Sequence, residues 1–316
     1  MDKTDIEDVK QFTKLPLQGV GGYNTVCFGE ILWDVLPSGA KPGGAPMNVA
    51  FHLKKFGQTP ATITRVGIDE RGTALKELLI KQHISTDFVQ EDAVYQTGIV
   101  NATPDEKNNM TYEIIRPVAW DFIELEDKHN ALMREADYFI FGSLAARSQT
   151  SHDTLFSLIE MANKKVVDIN LRAPHFNKKV ITDLFSKADI LKLNDDELEL
   201  VTGWFSKHTD LDDRANQLQD YFNIPTLIVT LGANGAMVKQ NGETYKHPGY
   251  KVEVADTVGS GDSFLAAFLS KTIEGASPSD ALTFASAVGA TVASRAGAWA
   301  SYTLDDVQDL INKPQS

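Results

Sequence analysis

Short apolar runs recur along this chain, and most are followed by a segment with helical periodicity. That alternation restricts the fold more than any other feature. Thr25–Gly29, Ala61–Val66, Tyr138–Phe141, Val166–Ile169, Ile190–Leu193 and Leu227–Thr230 read as strands without a polar face. Gly72–Lys81, Thr154–Asn163, Asp196–Thr202 and Asp212–Phe222 read as helices, the third stopped by Gly203. A strand that is apolar on both sides needs helices over both faces. Repeated βα units therefore predict an α/β fold, a doubly wound and mostly parallel sheet. One region breaks the rhythm. Tyr95–Asn101 and Met110–Ile115 are strands joined by a turn-rich TPDEKNN segment, so they predict an antiparallel hairpin. Such a hairpin cannot extend a parallel core, and it is expected to project as a small second element together with a strand at Leu32–Leu36.

Composition narrows the class. The 316 residues are 42% hydrophobic and 23% charged, which argues against disorder and fits one large domain or two smaller ones. Against 43 Asp and Glu there are 30 Lys and Arg, a net charge of -13, so neither nucleic acid nor a membrane surface is an expected partner. A single cysteine, Cys27, permits neither an intrachain disulfide nor a thiolate zinc cage. The seven histidines include no i, i+4 pair, which argues against a histidine metal site. The longest strongly apolar uncharged stretch, Ala281–Ser294, is 14 residues, whereas a bilayer needs roughly 20. Residues 1–23 read as a disordered leader without a secretory signal, followed by a folded domain over 24–316. The expected location is cytoplasmic.

Two motifs carry chemistry. In ADTVGSGDSFLAAFLS, Gly259, Ser260 and Gly261 open a helix whose body runs from Ser263 to about Ile273. Unpaired first-turn amides and the helix dipole make such a start an anion hole. Asp262 sits beside it, where a carboxylate can take a proton from an attacking hydroxyl while the amides hold a phosphoryl group. An acidic residue also suits the first turn of any helix. The segment is not a Walker loop, since no Lys-Ser or Lys-Thr pair follows the glycines, and Phe264 stands where a dinucleotide fingerprint needs its last glycine. In PGGAPMNVAFHLKKFG, Pro46 suits the first position of a helix and Gly57 its stop. Gly43 and Gly44 bring backbone close to whatever covers the helix start. Asn48, with Asp34 on the strand ending at Leu36, can grip vicinal hydroxyls. Elsewhere, Asn194 and Glu197 share one face of a helix start, a spacing that also makes a capping box. Asp168, Asn170 and Arg172 cluster at a strand end, where a surface ion pair is the alternative use of Arg172.

In order and spacing these motifs resemble the two hallmarks of the ribokinase-like (PfkB) carbohydrate kinases, and the resemblance spans Thr25–Leu310. GEILWDVLP, PVAW and DINLR resemble the fructokinase branch most. The resemblance implies transfer of the γ-phosphoryl of ATP to a sugar hydroxyl, on a doubly wound domain with a β-sheet lid from about 31–42 and 94–118. By position it makes Asp262 the catalytic base and Gly259, Ser260 and Gly261 the anion hole, although the family usually has Ala or Gly where Ser260 stands. It assigns Asp34, Gly43, Gly44, Asn48 and Arg172 to the sugar. Asn194, Thr230, Gly232 and Gly235 fall to the nucleotide, with Val288–Ser301 bordering adenine. Glu197 matches a Mg2+ position acting through water. Asp256, Val258, Gly297 and Ser301 match a monovalent-cation site, that is K+. It further implies a homodimer formed through the lid. Fructose is the sugar favoured. The alternatives are 2-keto-3-deoxygluconate, whose acid would want a cation such as Arg116 or Arg172, and ribose. A non-catalytic sugar-binding sensor on the same fold could dispense with the base or the anion hole, yet both are kept here.

Overall fold

The computed structural model describes residues 22–37, 39–104, 110–207 and 209–313. The leader expected over residues 1–23 thus lies almost wholly outside the described residues, as does most of the TPDEKNN turn. In chain order, β1 (Thr25–Phe28) starts the main sheet, and β2 (Leu32–Leu36) and β3 (Gly39–Gly43) leave it as an antiparallel pair. The chain returns through α1 (Ala45–Lys55), β4 (Pro60–Gly67), α2 (Glu70–Lys81) and β5 (Val89–Asp92). A hairpin follows, β6 (Gly98–Pro104) and β7 (Met110–Ile114). The second half runs through α3 (Asp127–Glu135), β8 (Tyr138–Gly142), α4 (Gln149–Met161), β9 (Lys164–Asp168), α5 (Lys178–Phe185), β10 (Ile190–Asn194), α6 (Asp195–Thr202), α7 (Leu211–Phe222) and β11 (Thr226–Thr230). It ends with β12 (Ala236–Gln240), β13 (Glu243–His247), α8 (Ser260–Ile273), α9 (Pro278–Ala293) and α10 (Leu304–Asn312).

The main sheet has the order β13-β12-β11-β10-β9-β8-β1-β4-β5, parallel from β11 across to β5 and antiparallel at β12 and β13. Successive side chains on each strand serve opposite cores. Phe139 and Phe141 join a cluster with Leu155, Leu184 and Leu193, while Ile140 between them packs with Val166, Ile228, Leu265 and Phe268 on the other face. This is why the strands carry no polar side. Strand order reverses between β1 and β8, which puts a crevice outside their carboxyl ends, the place where open α/β sheets take ligands.

A second sheet, β3-β2-β6-β7, comes from the segments expected to form a lid. Its strands β2 and β6 pair in parallel, Trp33 opposite Ile99 and Asp34 opposite Val100. β6 begins at Gly98, three residues later than expected, because the Asp92 carboxylate accepts the Val94 and Tyr95 amides, both at 2.8 Å, and closes a turn there. α4 begins five residues before Thr154, its polar first turn having hidden the start. In α1, Ala45 rather than Pro46 is the first helical residue. No helix among the described residues is long and apolar enough to cross a membrane.

Candidate active site

Two helix starts face each other across the crevice. α8 is buried from Ser263 to Ser270, so its position is fixed by the core and its first turn is aimed by that packing. Its cap Gly259 has φ +78°, and a Cβ there would lie 2.6 Å from Ala298 Cα, so only glycine serves. The Ser260 amide closes a turn onto the Thr257 carbonyl at 3.2 Å, and the Ser260 hydroxyl donates to the Gly289 carbonyl at 3.0 Å. Ser260 is therefore anchored, and the Gly261 and Asp262 amides have no backbone acceptor among the described residues. On the opposite side, the Asn48 side chain is 4% exposed and donates from Nδ2 to Asp262 Oδ2 at 2.8 Å. Asn48 is thus not the solvated first-turn residue of an ordinary capped helix. Its Oδ1 accepts from Trp299 Nε1 at 3.0 Å.

Charge around Asp262 is dense. Desolvation, followed by repulsion from Asp168, pushes its carboxyl up to about 6, against the attraction of Lys192, Asn48 and Arg172. Lys192 Nζ contacts both Asp168 oxygens, at 2.7 and 2.9 Å. A Cβ at Gly261 would sit 3.4 Å from that ammonium, so the buried cation lies directly under the glycine turn. Its partners, Asp168 first, hold Lys192 in the charged form despite its burial. Arg172 donates to the Leu171 carbonyl at 3.0 Å and acts electrostatically on Asp34, Glu30 and Asp262, so it belongs to the crevice.

The lid supplies the other wall. Asp34 lies against Gly43, where any Cβ would collide with its carboxylate. Gly44 has φ +110°, and a Cβ there would likewise collide with the Glu30 carbonyl. Desolvation raises Asp34 to about 6, with Arg172 and Lys41 opposing and Asp256 adding to the shift. Glu30, 2% exposed, accepts the Ala45 amide at 3.2 Å through Oε1, leaving Oε2 buried without a partner. Burial pushes this carboxyl to about 7.

Of the residues expected to meet the nucleotide, Asn194 and Thr230 are register partners at the ends of β10 and β11. Gly232 and Gly235 follow, with φ +56° and +90°, in the turn closed by the Leu231 amide on the Gly235 carbonyl at 2.8 Å. Asn194 and Glu197 form the capping box: the Glu197 amide donates to Asn194 Oδ1 at 2.7 Å, and the Asn194 amide to Glu197 Oε2 at 2.9 Å. Glu197 Oε1 accepts the Leu171 amide at 2.7 Å, so both oxygens already hold backbone. Of the residues expected to hold a monovalent cation, Asp256 binds the Val258 and Gly297 amides at 3.0 and 2.9 Å. Lys41 comes within 3.5 Å of the same carboxylate. The Ser301 carbonyl instead accepts from the Arg295 guanidinium. Asp256, Val258 and Gly297 thus lie together, with Lys41 sharing the Asp256 carboxylate.

Glu30, Lys192 and Trp299 are the site residues that the sequence reading missed. Each had a faint signal: a carboxylate in CFGEILW, one lysine inside the strand ILKLN, and a tryptophan in a glycine-bearing loop.

A family model described as "pfkB family carbohydrate kinase" matches residues 38–304. Probable fructokinase-2 from Arabidopsis thaliana is 29% identical over 86% of this chain and 91% of its own. A fructokinase with bound ATP from Xylella fastidiosa superposes with a TM-score of 0.81 at 23% identity, covering 91% of this chain and 98% of that one. The 2-dehydro-3-deoxygluconokinase of Thermotoga maritima gives the same TM-score, 0.81, at 21% identity, covering 92% and 100%. The fold is common to both, so it does not separate their sugars.

Proposed function

The chain belongs to the pfkB family of carbohydrate kinases and is a sugar phosphotransferase; from that premise we propose that it is a fructokinase. In this reading it moves the γ-phosphoryl of ATP to a fructose hydroxyl. The observation that carries it is the meeting of Asp262 with Asn48 at 2.8 Å, between two helix starts at the switch point of the sheet.

Sugar lies between the lid and α1, against Asp34, Asn48, Arg172 and the backbone of Gly43 and Gly44. Asn48 has one amide hydrogen and one lone pair left for a hydroxyl. ATP lies along the turns after β10 and β11, near Asn194, Thr230, Gly232 and Gly235. Asp262 orients the attacking hydroxyl and accepts its proton late, since a loose phosphoryl transition state demands little basicity. The Gly259–Gly261 turn receives the phosphoryl oxygens, with Lys192 beneath it. Closing the lid sheet excludes water, a competing acceptor.

The group fits Mg2+ only as a companion of ATP. Among the described residues no three Asp, Glu, His or Cys side chains converge as a metal cage. A cation that arrives on phosphates and keeps its waters suits this site, with Glu197 acting through one of those waters. The open lid edge β7, where Tyr112 is 60% exposed, supports pairing of two copies through that sheet.

Arg172 favours one second reading, a 2-keto-3-deoxygluconate kinase, because a guanidinium in the crevice would suit an acid sugar. A coupled ATP-consumption assay over fructose, 2-keto-3-deoxygluconate, ribose and adenosine separates the two. The expected outcome is the highest kcat/KM with fructose. A preference for the acid sugar that is lost in Arg172→Ala would reverse the assignment, and sugar binding without turnover would return the protein to a sensor.

A further inference from the structure

The Asn48 amide can lie either way round in the same volume, and the two orientations present opposite chemistry to Asp262. With Nδ2 forward it donates to the carboxylate. With Oδ1 forward it sets a carbonyl dipole against a negative charge. Trp299 breaks this degeneracy. An indole N–H can only donate, so the atom 3.0 Å from Trp299 Nε1 must be the Asn48 oxygen, and the nitrogen is left to face Asp262 at 2.8 Å.

Trp299 is itself held by α1. Its ring stacks on Phe51, centroids 4.8 Å apart and planes 5° from parallel. The carbonyl of the preceding Ala298 lies 2.9 Å from His52 Nε2, and His52 Nδ1 lies 2.8 Å from the Tyr302 hydroxyl. A carbonyl only accepts, so Nε2 carries the proton and Nδ1 accepts from tyrosine. Asn48, Phe51 and His52, spaced i, i+3 and i+4, thus form one helix face that clasps the loop 298–302. Nothing in the phosphoryl-transfer scheme above uses this clasp.

Building on the assignment of Asp262 as base, we propose that Trp299 is a positioning residue: its indole N–H fixes the Asn48 amide so that a donor, never an acceptor, faces the base. Asp262 is met by Asp168 from the end of β9, Arg172 from the loop after it, Lys192 from β10 and Glu30 from the turn after β1. Asn48 is the neutral contact among these charges. Losing its orientation leaves Asp262 with less to favour ionisation. The sign is fixed: a weaker donor raises the carboxyl, and turnover is lost at a higher pH on the acid side.

The test compares kcat against pH for the wild type, Trp299→Phe and Asp262→Asn in the coupled kinase assay with the best sugar. Phenylalanine keeps the stack on Phe51 and removes only the N–H. In Trp299→Phe the acid limb of kcat is expected to move up by about one pH unit, with KM for ATP changed less than about twofold. A variant whose limb overlies the wild type while Asp262→Asn is inactive overturns the role of Trp299 alone. Full turnover in Asp262→Asn overturns the assignment of the base. A second measurement does not depend on the variant folding. In the wild type, the Trp299 indole 15N–1H resonance should titrate with the midpoint of the kcat limb, and a resonance flat through that range overturns the proposal.

Discussion

In the proposed reaction Asp262 is asked to be a base in a place that resists its charge. Burial and Asp168 push it up to about 6, so it is ionised at neutral pH but with little margin. Asp262→Asn keeps the shape and the contact to Asn48 and removes the proton acceptor. Steady-state kinetics should show kcat at least roughly a hundredfold lower, the usual contribution of a general base, with the KM for sugar little changed. The candidate site was legible in sequence where its chemistry is local. A glycine turn, a helix start and an acid in the first turn are adjacent residues, and so are the two glycines and the asparagine of α1. Lys192 was not legible because its meaning comes from Asp168, 24 residues away, and from the glycine turn above it. Trp299 was illegible for the same reason, its partner Asn48 being 251 residues distant. Glu30 reads in sequence as an interruption, and only the fold shows it holding the start of α1.

Elements were legible where one residue pattern runs unbroken between clear turn signals. The inner parallel strands announce themselves because both faces are apolar, and the lid hairpin because turn residues separate its arms. The edge pair β12 and β13 escaped notice although its signal was present: Asn241 and Gly242, both at positive φ (+54° and +78°), form the two-residue turn that such hairpins favour. α3 and α5, of nine and eight residues, are too short to show a helical period clearly. The start of α8 shows what an element owes to one residue. Gly259→Ala would place a methyl group in the left-handed region and against the Ala298 backbone. The cost is about 1–3 kcal/mol, read as a fall in melting temperature of about 2–4 °C for each kcal/mol. The same variant should lose kcat, because relief of the clash moves the turn or the 298–302 loop. An alanine variant with wild-type melting and turnover would show that the turn has room to spare.

Across the whole molecule, buried ionisable groups pull stability in opposite directions with pH. Glu30, Asp34 and Asp262 have folded values near 7, 6 and 6, above those of free carboxyls. Their native state binds more protons than the unfolded chain from about pH 4 upward, so they lower stability as pH rises through that window. His52 and His129, each pushed down to about 4 by burial, act the other way, since the unfolded imidazoles bind protons up to about pH 6.5. The two sets largely offset each other on the acid side, and the carboxyls alone remain above it. Glu30→Gln keeps an acceptor for the Ala45 amide and removes the charge. Thermal melting should find it more stable than wild type at about pH 8, by roughly 1–3 kcal/mol, and no more stable at about pH 5. A gain of equal size at both would mean that folding leaves the protonation of Glu30 unchanged between those pH values, so that its carboxyl is not raised.

The hydrogen bond between Asn48 and Asp262 joins residues 214 positions apart. At common rates of translation, about ten to forty seconds separate their exit from the ribosome. Through that interval the nascent chain holds Asn48 without Asp262, so under the proposed mechanism no partly made copy could squander ATP on water.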